Sequence, residues 1–307
     1  MPKSISIVFP VYNEEDNILP LLNATLPVVS KLTKDYEIVF VDDGSKDKTT
    51  KILEQLKKEK YIKVYTLKKN SGKATALYVG FQKATKDIIV TMDSDLQDDP
   101  KEIPLLVSKI EEGYDFVNGW KKNKHVEHTS PIKRVSSLTF NQMTKTVSGT
   151  NFNDYNCPFK AFKSEVAKDL FLYGDMHRYI PVQVANMGYK YTEVVVSNYP
   201  RQFGVTKYGS KRILRGFFDL ITIKYLITYR NRPLHAFGAM GLIFGGFGML
   251  INAYLFITWM MGYGIGGRPL LTLGVLLTII GIQFISIGLL GEMITNNITR
   301  NPDNLIK

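Results

Sequence analysis

The chain has 307 residues, a formal net charge of +11 and one cysteine, a length that allows one large domain or one domain with an appendage. The lone Cys157 excludes an internal disulfide framework and fits a reducing compartment. The basic balance calls for an anionic partner: nucleic acid, anionic lipid or a phosphorylated substrate.

The opening residues, Met1-Pro2-Lys3-Ser4, run straight into a strand-like segment, so no signal peptide is expected there. Ile5 to Val11 reads as that strand, with Pro10 near its end. Tyr12-Asn13-Glu14-Glu15-Asp16-Asn17 then leads to a helix starting near Ile18. Tyr36 to Val41 is the second strand and ends in Asp42-Asp43-Gly44-Ser45. A helix is expected from about Asp47 to Lys60, with Ile52, Leu53 and Leu56 on one face. Ile62 to Leu67 is a third strand, Gly72 to Thr85 a helix, and Asp87 to Met92 a fourth strand. Strands that are near-continuous apolar runs, alternating with helices, predict an α/β fold with a mostly parallel sheet covered on both faces.

Two later runs differ in kind. Leu234 to Gly267 and Pro269 to Gly291 contain no Asp, Glu, Lys or Arg. Each exceeds the roughly 20 apolar residues a membrane-spanning helix needs. A short Gly-rich link with Arg268 joins them, so the pair reads as a transmembrane hairpin, spans about 234–261 and 269–291. The rival reading is a pair of buried core helices. Lys211, Arg212, Arg215, Lys224, Arg230 and Arg232 precede the first span, and Arg300 and Lys307 follow the second. The excess of basic residues on that side predicts two spans with the N-terminal domain and both termini cytoplasmic. Lys211 to Tyr229 mixes Ile213, Leu214, Phe217, Phe218 and Ile221 with basic residues, as a helix lying at a membrane surface requires. Positions 131–147 are a second candidate of that kind. The expected division is therefore 1–210 soluble domain, 211–232 interfacial helix and 233–307 hairpin with a short tail. Gly238-Ala239-Met240-Gly241 and Gly245-Gly246-Phe247-Gly248 offer close-packing surfaces, either for the other span or for a second copy of the chain.

In a parallel sheet, ligands gather at the carboxyl ends of the strands. Four polar clusters follow strands here: Tyr12-Asn13-Glu14, Asp42-Asp43, Lys68 to Lys73, and Asp93-Ser94-Asp95-Leu96-Gln97. All four should meet on one rim. Asp93, Asp95 and Gln97 form a small set of hard oxygen ligands at alternate positions, suited to Mg²⁺ or Mn²⁺ completed by water and substrate phosphates. Gly72-Lys73 is no Walker A loop, because Leu67 stands where the first glycine belongs. No G-x-G-x-x-G follows the first strand, which argues against a dinucleotide cofactor.

Val8 to Glu15, Val41 to Thr49, Asn70-Ser71-Gly72-Lys73 and Asp93 to Gln97 together resemble the family 2 glycosyltransferases of GT-A (Rossmann-like) fold, in order and spacing across the soluble half. The resemblance extends to Asp154 in Asn153 to Lys160 and to Arg201 to Tyr208, which looks like an R-x-x-G-x-S-K-Y element. With the hairpin, the chain is similar to the polyisoprenyl-phosphate glycosyltransferases. That resemblance implies a nucleotide-sugar donor, a polyisoprenyl phosphate acceptor (undecaprenyl or dolichyl), a lipid membrane and no nucleic acid. It implies transfer of one sugar with inversion. A UDP-sugar is favoured, because the two-span arrangement looks most like the bactoprenol enzymes; GDP-mannose is the other donor considered. Pro10, Tyr12, Asn13, Glu14, Asp42, Asp43, Lys73, Asp93 and Ser94 are the implied donor-binding residues, and Asp93, Asp95 and Gln97 the metal ligands. Asp95 and Asp154 are the catalytic candidates, Asp154 as base or as the residue that positions substrate.

An anionic acceptor needs cations and neutral donors. Lys121, Arg134, Ser137, Arg201 and Lys207 are assigned to its phosphate, the arginines first because their fork binds phosphate bidentately. Lys133 and Thr206 are also available as donors, and Arg178 sits where related enzymes often carry an arginine. A polysaccharide synthase of the same fold would carry Q-x-x-R-W; neither Trp120 nor Trp259 follows that pattern. A non-catalytic nucleotide-binding protein would be expected to lack the acidic cluster or Asp154.

Overall fold

The structure, a computed structural model, describes residues 4–122, 141–200 and 232–297, together with Thr222, Tyr225 and Tyr229. The chain falls into two compact units, Met1–Ile223 and Lys224–Lys307.

The first unit is built on a seven-stranded sheet. Its strands are β1 (Ile5–Val11), β2 (Tyr36–Asp42), β3 (Ile62–Thr66), β4 (Ile88–Thr91), β5 (Phe116–Trp120), β6 (Lys160–Lys163) and β7 (Tyr191–Val195). They lie in the order β3-β2-β1-β4-β6-β5-β7. All pairings are parallel except those of β6, which runs against both β4 and β5. The expected mostly parallel α/β sheet is therefore present, with one reversed strand that the local pattern does not announce.

One face carries α1 (Ile18–Leu32), α2 (Thr49–Leu56) and α4 (Ile103–Glu111). Ile7, Phe9, Ile38, Phe40, Val90 and Ala161 of the sheet pack there against Leu21, Val29, Leu53, Leu106 and Val107. The other face carries α3 (Lys73–Lys83), whose Phe81 ring meets Phe162, which in turn meets Phe116. Two short helices, α5 (Ser164–Asp169) and α6 (Ile180–Asn186), complete the described part of this unit with a helical stretch at 141–148. The second helix is shorter than expected. Asp47 accepts the Thr49 N–H at 3.0 Å, so the helix begins two residues later than the apolar pattern allows.

Because β6 reverses, its first residue, Lys160, lies at the same sheet edge as the carboxyl ends of the other six strands. That edge therefore gathers the loops after β1, β2, β3, β4, β5 and β7 and the turn before β6.

The second unit is a helical hairpin, α7 (Pro233–Met260) and α8 (Pro269–Asn297), both long and apolar enough to cross a membrane. Leu242, Phe247, Leu250, Leu276, Ile282 and Leu290 are exposed along it. That much outward apolar surface contradicts the rival reading of buried core helices. Gly241, Gly245 and Gly248 face the backbone of α8 near Gly274, Thr278 and Gly281, and a Cβ on Gly281 would run into Gly245. Small residues at this spacing let the helix axes come close. Asn252 Nδ2 donates to Thr278 Oγ1 across the seam at 3.2 Å, and Glu292 accepts the Leu234 N–H at 3.3 Å. Much of the glycine surface is thus occupied by the hairpin itself; Gly246, beside these three, has no neighbouring atom within 4 Å. The expected interfacial helix over 211–232 lies outside the described residues apart from Thr222, Tyr225, Tyr229 and Arg232, as does the 131–140 part of the second candidate.

Candidate active site

The loop after β1 turns at Asn13, a non-glycine residue with φ of 51°. Its backbone N–H donates to Ser45 Oγ at 2.9 Å, and its side-chain oxygen accepts the Lys46 N–H at 2.8 Å. Glu14 donates its N–H to Thr49 Oγ1 at 2.9 Å and accepts from the Asn17 side chain. The loops after β1 and β2 are thereby stitched into one wall, with Pro10 and Tyr12 at its base.

Asp42 is fully buried. It accepts from Ser45 N–H and Oγ at 2.9 and 2.6 Å and from Thr50 Oγ1 at 2.6 Å. Asp43 faces the next loop and accepts the N–H groups of Ser71 and Gly72 at 2.6 and 2.9 Å. Burial raises the Asp43 pKa above the ordinary carboxylate value, against the pull of those two bonds. Gly44 makes this approach feasible. Its φ is +70°, and a Cβ there would lie 2.8 Å from the Lys69 carbonyl carbon.

α3 begins directly after this grip, at Lys73, whose ammonium lies 2.5 Å from Asp93 Oδ1. Burial disfavours the Asp93 charge, but Lys73, and at longer range Lys121 and Lys160, hold its pKa below the usual value. Asp93, Ser94 and Asp95 follow β4 on a tight turn in which Leu96 has φ of 59°. Ser94 Oγ donates to the Pro10 carbonyl at 3.2 Å, tying this turn to the end of β1. Asp95 is buried and accepts the Gln97 N–H at 3.2 Å. Gln97 Nε2 donates to the Tyr199 carbonyl at 3.3 Å, which brings the segment after β7 to the same place.

Lys121 does not present an open ammonium. It is buried and lies 2.6 Å from the fully buried Asp98, which also accepts the Asp93 N–H. Burial opposes the Lys121 charge, yet the Asp98 carboxylate raises its pKa above the ordinary value. Through Asp98, Lys121 buttresses the turn that carries Asp93. Asp154 is buried on the turn before β6, and its Oδ1 accepts the Asn156 N–H at 3.1 Å. Arg178 is buried and 3.6 Å from Asp175. Lys133, Arg134, Ser137, Arg201, Thr206 and Lys207 lie outside the described residues.

Sequence reasoning missed Asp98, Asn118, Lys160 and Glu193. The signal for two of them was available. Asn118 and Lys160 interrupt apolar strand segments, and a polar residue buried in a strand needs partners.

Among the described residues no three His, Cys, Asp or Glu side chains group as a complete metal site. Two carboxylates on one turn, Asp93 and Asp95, fit a small divalent cation that takes its other ligands from water and phosphate oxygens.

The glycosyl transferase family 2 profile matches residues 6–171. A dodecaprenyl-phosphate galacturonate synthase of Rhizobium johnstonii is 34% identical over 308 aligned residues, covering 97% of this chain and 89% of that protein. An undecaprenyl-phosphate 4-deoxy-4-formamido-L-arabinose transferase of Photorhabdus laumondii is 33% identical, covering 95% and 89%. Among solved structures, the glucosyl-3-phosphoglycerate synthase of Mycobacterium tuberculosis with Mn²⁺ and UDP shares the fold of 71% of this chain and 78% of its own, with a TM-score of 0.55 at 20% identity. A family match over more than half its length, with a relative 34% identical across 97% of it, makes this chain a member of glycosyl transferase family 2 and a glycosyltransferase.

Proposed function

We propose that the enzyme transfers one sugar from a UDP-sugar to a polyisoprenyl phosphate with inversion, leaving a lipid-linked monosaccharide and UDP. The observation that carries the acceptor is the extent of the similarity. Both relatives, which by name act on dodecaprenyl and undecaprenyl phosphate, align over the hairpin as well as the soluble domain. The apolar hairpin suits a substrate whose tail stays in lipid. The basic residues flanking it favour a cytoplasmic catalytic domain and termini. A second copy of the chain could use the open glycine surface at Gly246.

In this reading Pro10, Tyr12, Asn13, Glu14, Asp42 and Asp43 form the nucleotide wall, and Lys73, Asp93 and Ser94 the diphosphate end. Asp93, Asp95 and Gln97 would hold Mg²⁺ or Mn²⁺; such a cation supplies Lewis-acid charge to the leaving diphosphate. Lys73 adds a fixed cation beside the same leaving group. The bond from the anomeric carbon to the diphosphate oxygen breaks while a bond to an acceptor phosphate oxygen forms on the opposite side of the ring. The acceptor oxygen is already anionic near neutral pH, so Asp154 serves to place the reacting groups in line rather than to remove a proton. Arg134, Ser137, Arg201 and Lys207 remain the proposed phosphate contacts. Lys121, closed against Asp98, acts through the Asp93 turn.

The test is titration of the full-length protein in lipid nanodiscs with UDP and GDP, followed by transfer assays with each donor class. Tighter binding and turnover with UDP-sugars supports the reading. Preference for GDP, or label retained in a water-soluble product, contradicts it.

A further inference from the structure

A row of polar residues crosses four strands at the edge of the sheet that carries the site. Glu193 on β7 is in register with Asn118 on β5, Asn118 with Lys160 on β6, and Lys160 with Thr91 on β4. The next row inward is apolar on three of the four strands: Val117, Ala161 and Val90, with Thr192 on β7. Asn118, Lys160 and Thr91 are almost wholly buried. Polar groups in such a place are costly unless bonded, so their partners indicate what they are for.

For Asn118, Glu193 and Lys160 the partners outside the row lie in one turn, 153–157. Asn118 Nδ2 donates to the Asp154 carbonyl at 2.7 Å and to Glu193 Oε1 at 3.0 Å. Glu193 accepts the N–H groups of Asn153 and Asp154 at 2.9 and 3.4 Å, and the Asn153 side chain at 2.8 Å. The Lys160 ammonium donates to the Cys157 carbonyl. Asn156 closes the turn onto the Asp154 carboxylate. The turn that presents Asp154 is therefore held from below by side chains at both ends. Lys160 is in register with Thr91, two residues before Asp93, so the row links the strand that leads into the turn after β4 with the turn before β6.

We propose that Glu193, Asn118 and Lys160 are positioning residues that set Asp154 against the donor side of the crevice. The inference rests on the proposed role of Asp154. None of the three needs to touch substrate; each acts through the backbone it holds.

The experiment compares full-length Glu193→Gln, Asn118→Ala, Lys160→Met, Lys160→Arg and Asp154→Asn in nanodiscs, measuring UDP affinity and single-sugar transfer. A misplacement of about 1 Å at a reacting group costs on the order of 100-fold. The expected result is a kcat reduced at least about tenfold in Glu193→Gln, Asn118→Ala and Lys160→Met. UDP affinity should stay within about twofold in Glu193→Gln and Asn118→Ala, because the nucleotide wall is built on β1 and β2, away from β5 and β7. Lys160→Arg should recover part of the loss. If Asp154→Asn is inactive while the other variants keep the parent kcat, the positioning role is overturned and the reading of Asp154 stands. If Asp154→Asn is fully active, both fall. If UDP affinity collapses together with kcat in all three, the row is general scaffolding and the inference is overturned.

Discussion

Gly44→Ala tests whether the loops after β2 and β3 act as one unit. Gly44 has φ of +70°, a region that costs an L-residue roughly 1–2 kcal/mol. The added Cβ would lie 2.8 Å from the Lys69 carbonyl carbon, 2.9 Å from the Asn70 nitrogen and 3.1 Å from the Lys69 Cα. All three are backbone atoms, so no rotamer change relieves the contact. Reaching a comfortable separation of about 3.5 Å means moving the Lys69–Asn70 peptide by several tenths of an ångström. Overpacking of this kind costs about 1–3 kcal/mol. The sum, roughly 2–5 kcal/mol, is a large part of a typical domain stability of about 5–15 kcal/mol. The moved peptide leads directly to the Ser71 and Gly72 N–H groups that hold Asp43, and then to Lys73 beside Asp93. Both the melting temperature and the UDP affinity should therefore fall, affinity by about tenfold or more if one charge-assisted bond of ~1.5–3 kcal/mol is lost. Thermal unfolding and nucleotide titration on the same sample read the two effects. A variant that melts earlier yet binds UDP with parent affinity would refute the coupling of this loop to the site. Unchanged melting would refute the steric argument.

The remaining predictions are simpler. Glu37, buried at the opposite end of β2, accepts from Ser6 Oγ, Thr85 N–H and Thr85 Oγ1 and pairs with Lys63. Glu37→Ala should cost roughly 3 kcal/mol, because buried donors lose their acceptor, as read by chemical denaturation. Burial works against the Glu37 charge, but Lys63, Ser6 and Thr85 hold its pKa below the ordinary 4.5. Its stabilising effect is thus present above pH 4.5 and lost as pH falls through the folded value, so the gap between parent and Glu37→Gln should narrow in acid. Lys160 gives a pH dependence of the same sign from the opposite cause, because here it is the charged form that burial disfavours. Burial lowers its pKa from 10.5 to about 8, so the parent gains stability as pH rises between those values, by up to about 3 kcal/mol. Lys160→Met should lack that rise; a parallel pH dependence in the two proteins would contradict it. In the hairpin, Gly281→Leu should weaken the packing of α7 on α8, since the new side chain meets Gly245, while Gly246→Leu should leave melting unchanged. If Gly246→Leu instead changes the oligomeric state in detergent, that open surface is a contact between copies.

The parallel half of the sheet was readable because each strand is a buried apolar run that stops at a polar cluster. Asp42, Asp43, Lys73, Asp93 and Asp95 each follow such a run, and the parallel rule brings them together without further information. The reversal of β6 was not readable. Phe159 to Lys163 is too short and too ordinary a segment to declare its direction, and only strand order puts Lys160 between β4 and β5. For the same reason the pairing of Lys121 was not readable: its sequence neighbours give no hint that Asp98, from another loop, encloses it. Glu193 gains meaning only when register sets it beside Asn118, beneath the Asp154 turn.

The central claim is transfer of one sugar to a lipid phosphate by the cluster after β4. The direct measurement is movement of radiolabelled sugar from a panel of UDP- and GDP-sugars into organic-extractable undecaprenyl or dolichyl phosphate, with Mg²⁺ or Mn²⁺ present and Asp95→Ala as the comparison. The account predicts label in the lipid phase from one UDP-sugar and its loss in Asp95→Ala. Label entering a polymer, or lipid label that persists in Asp95→Ala, would contradict it.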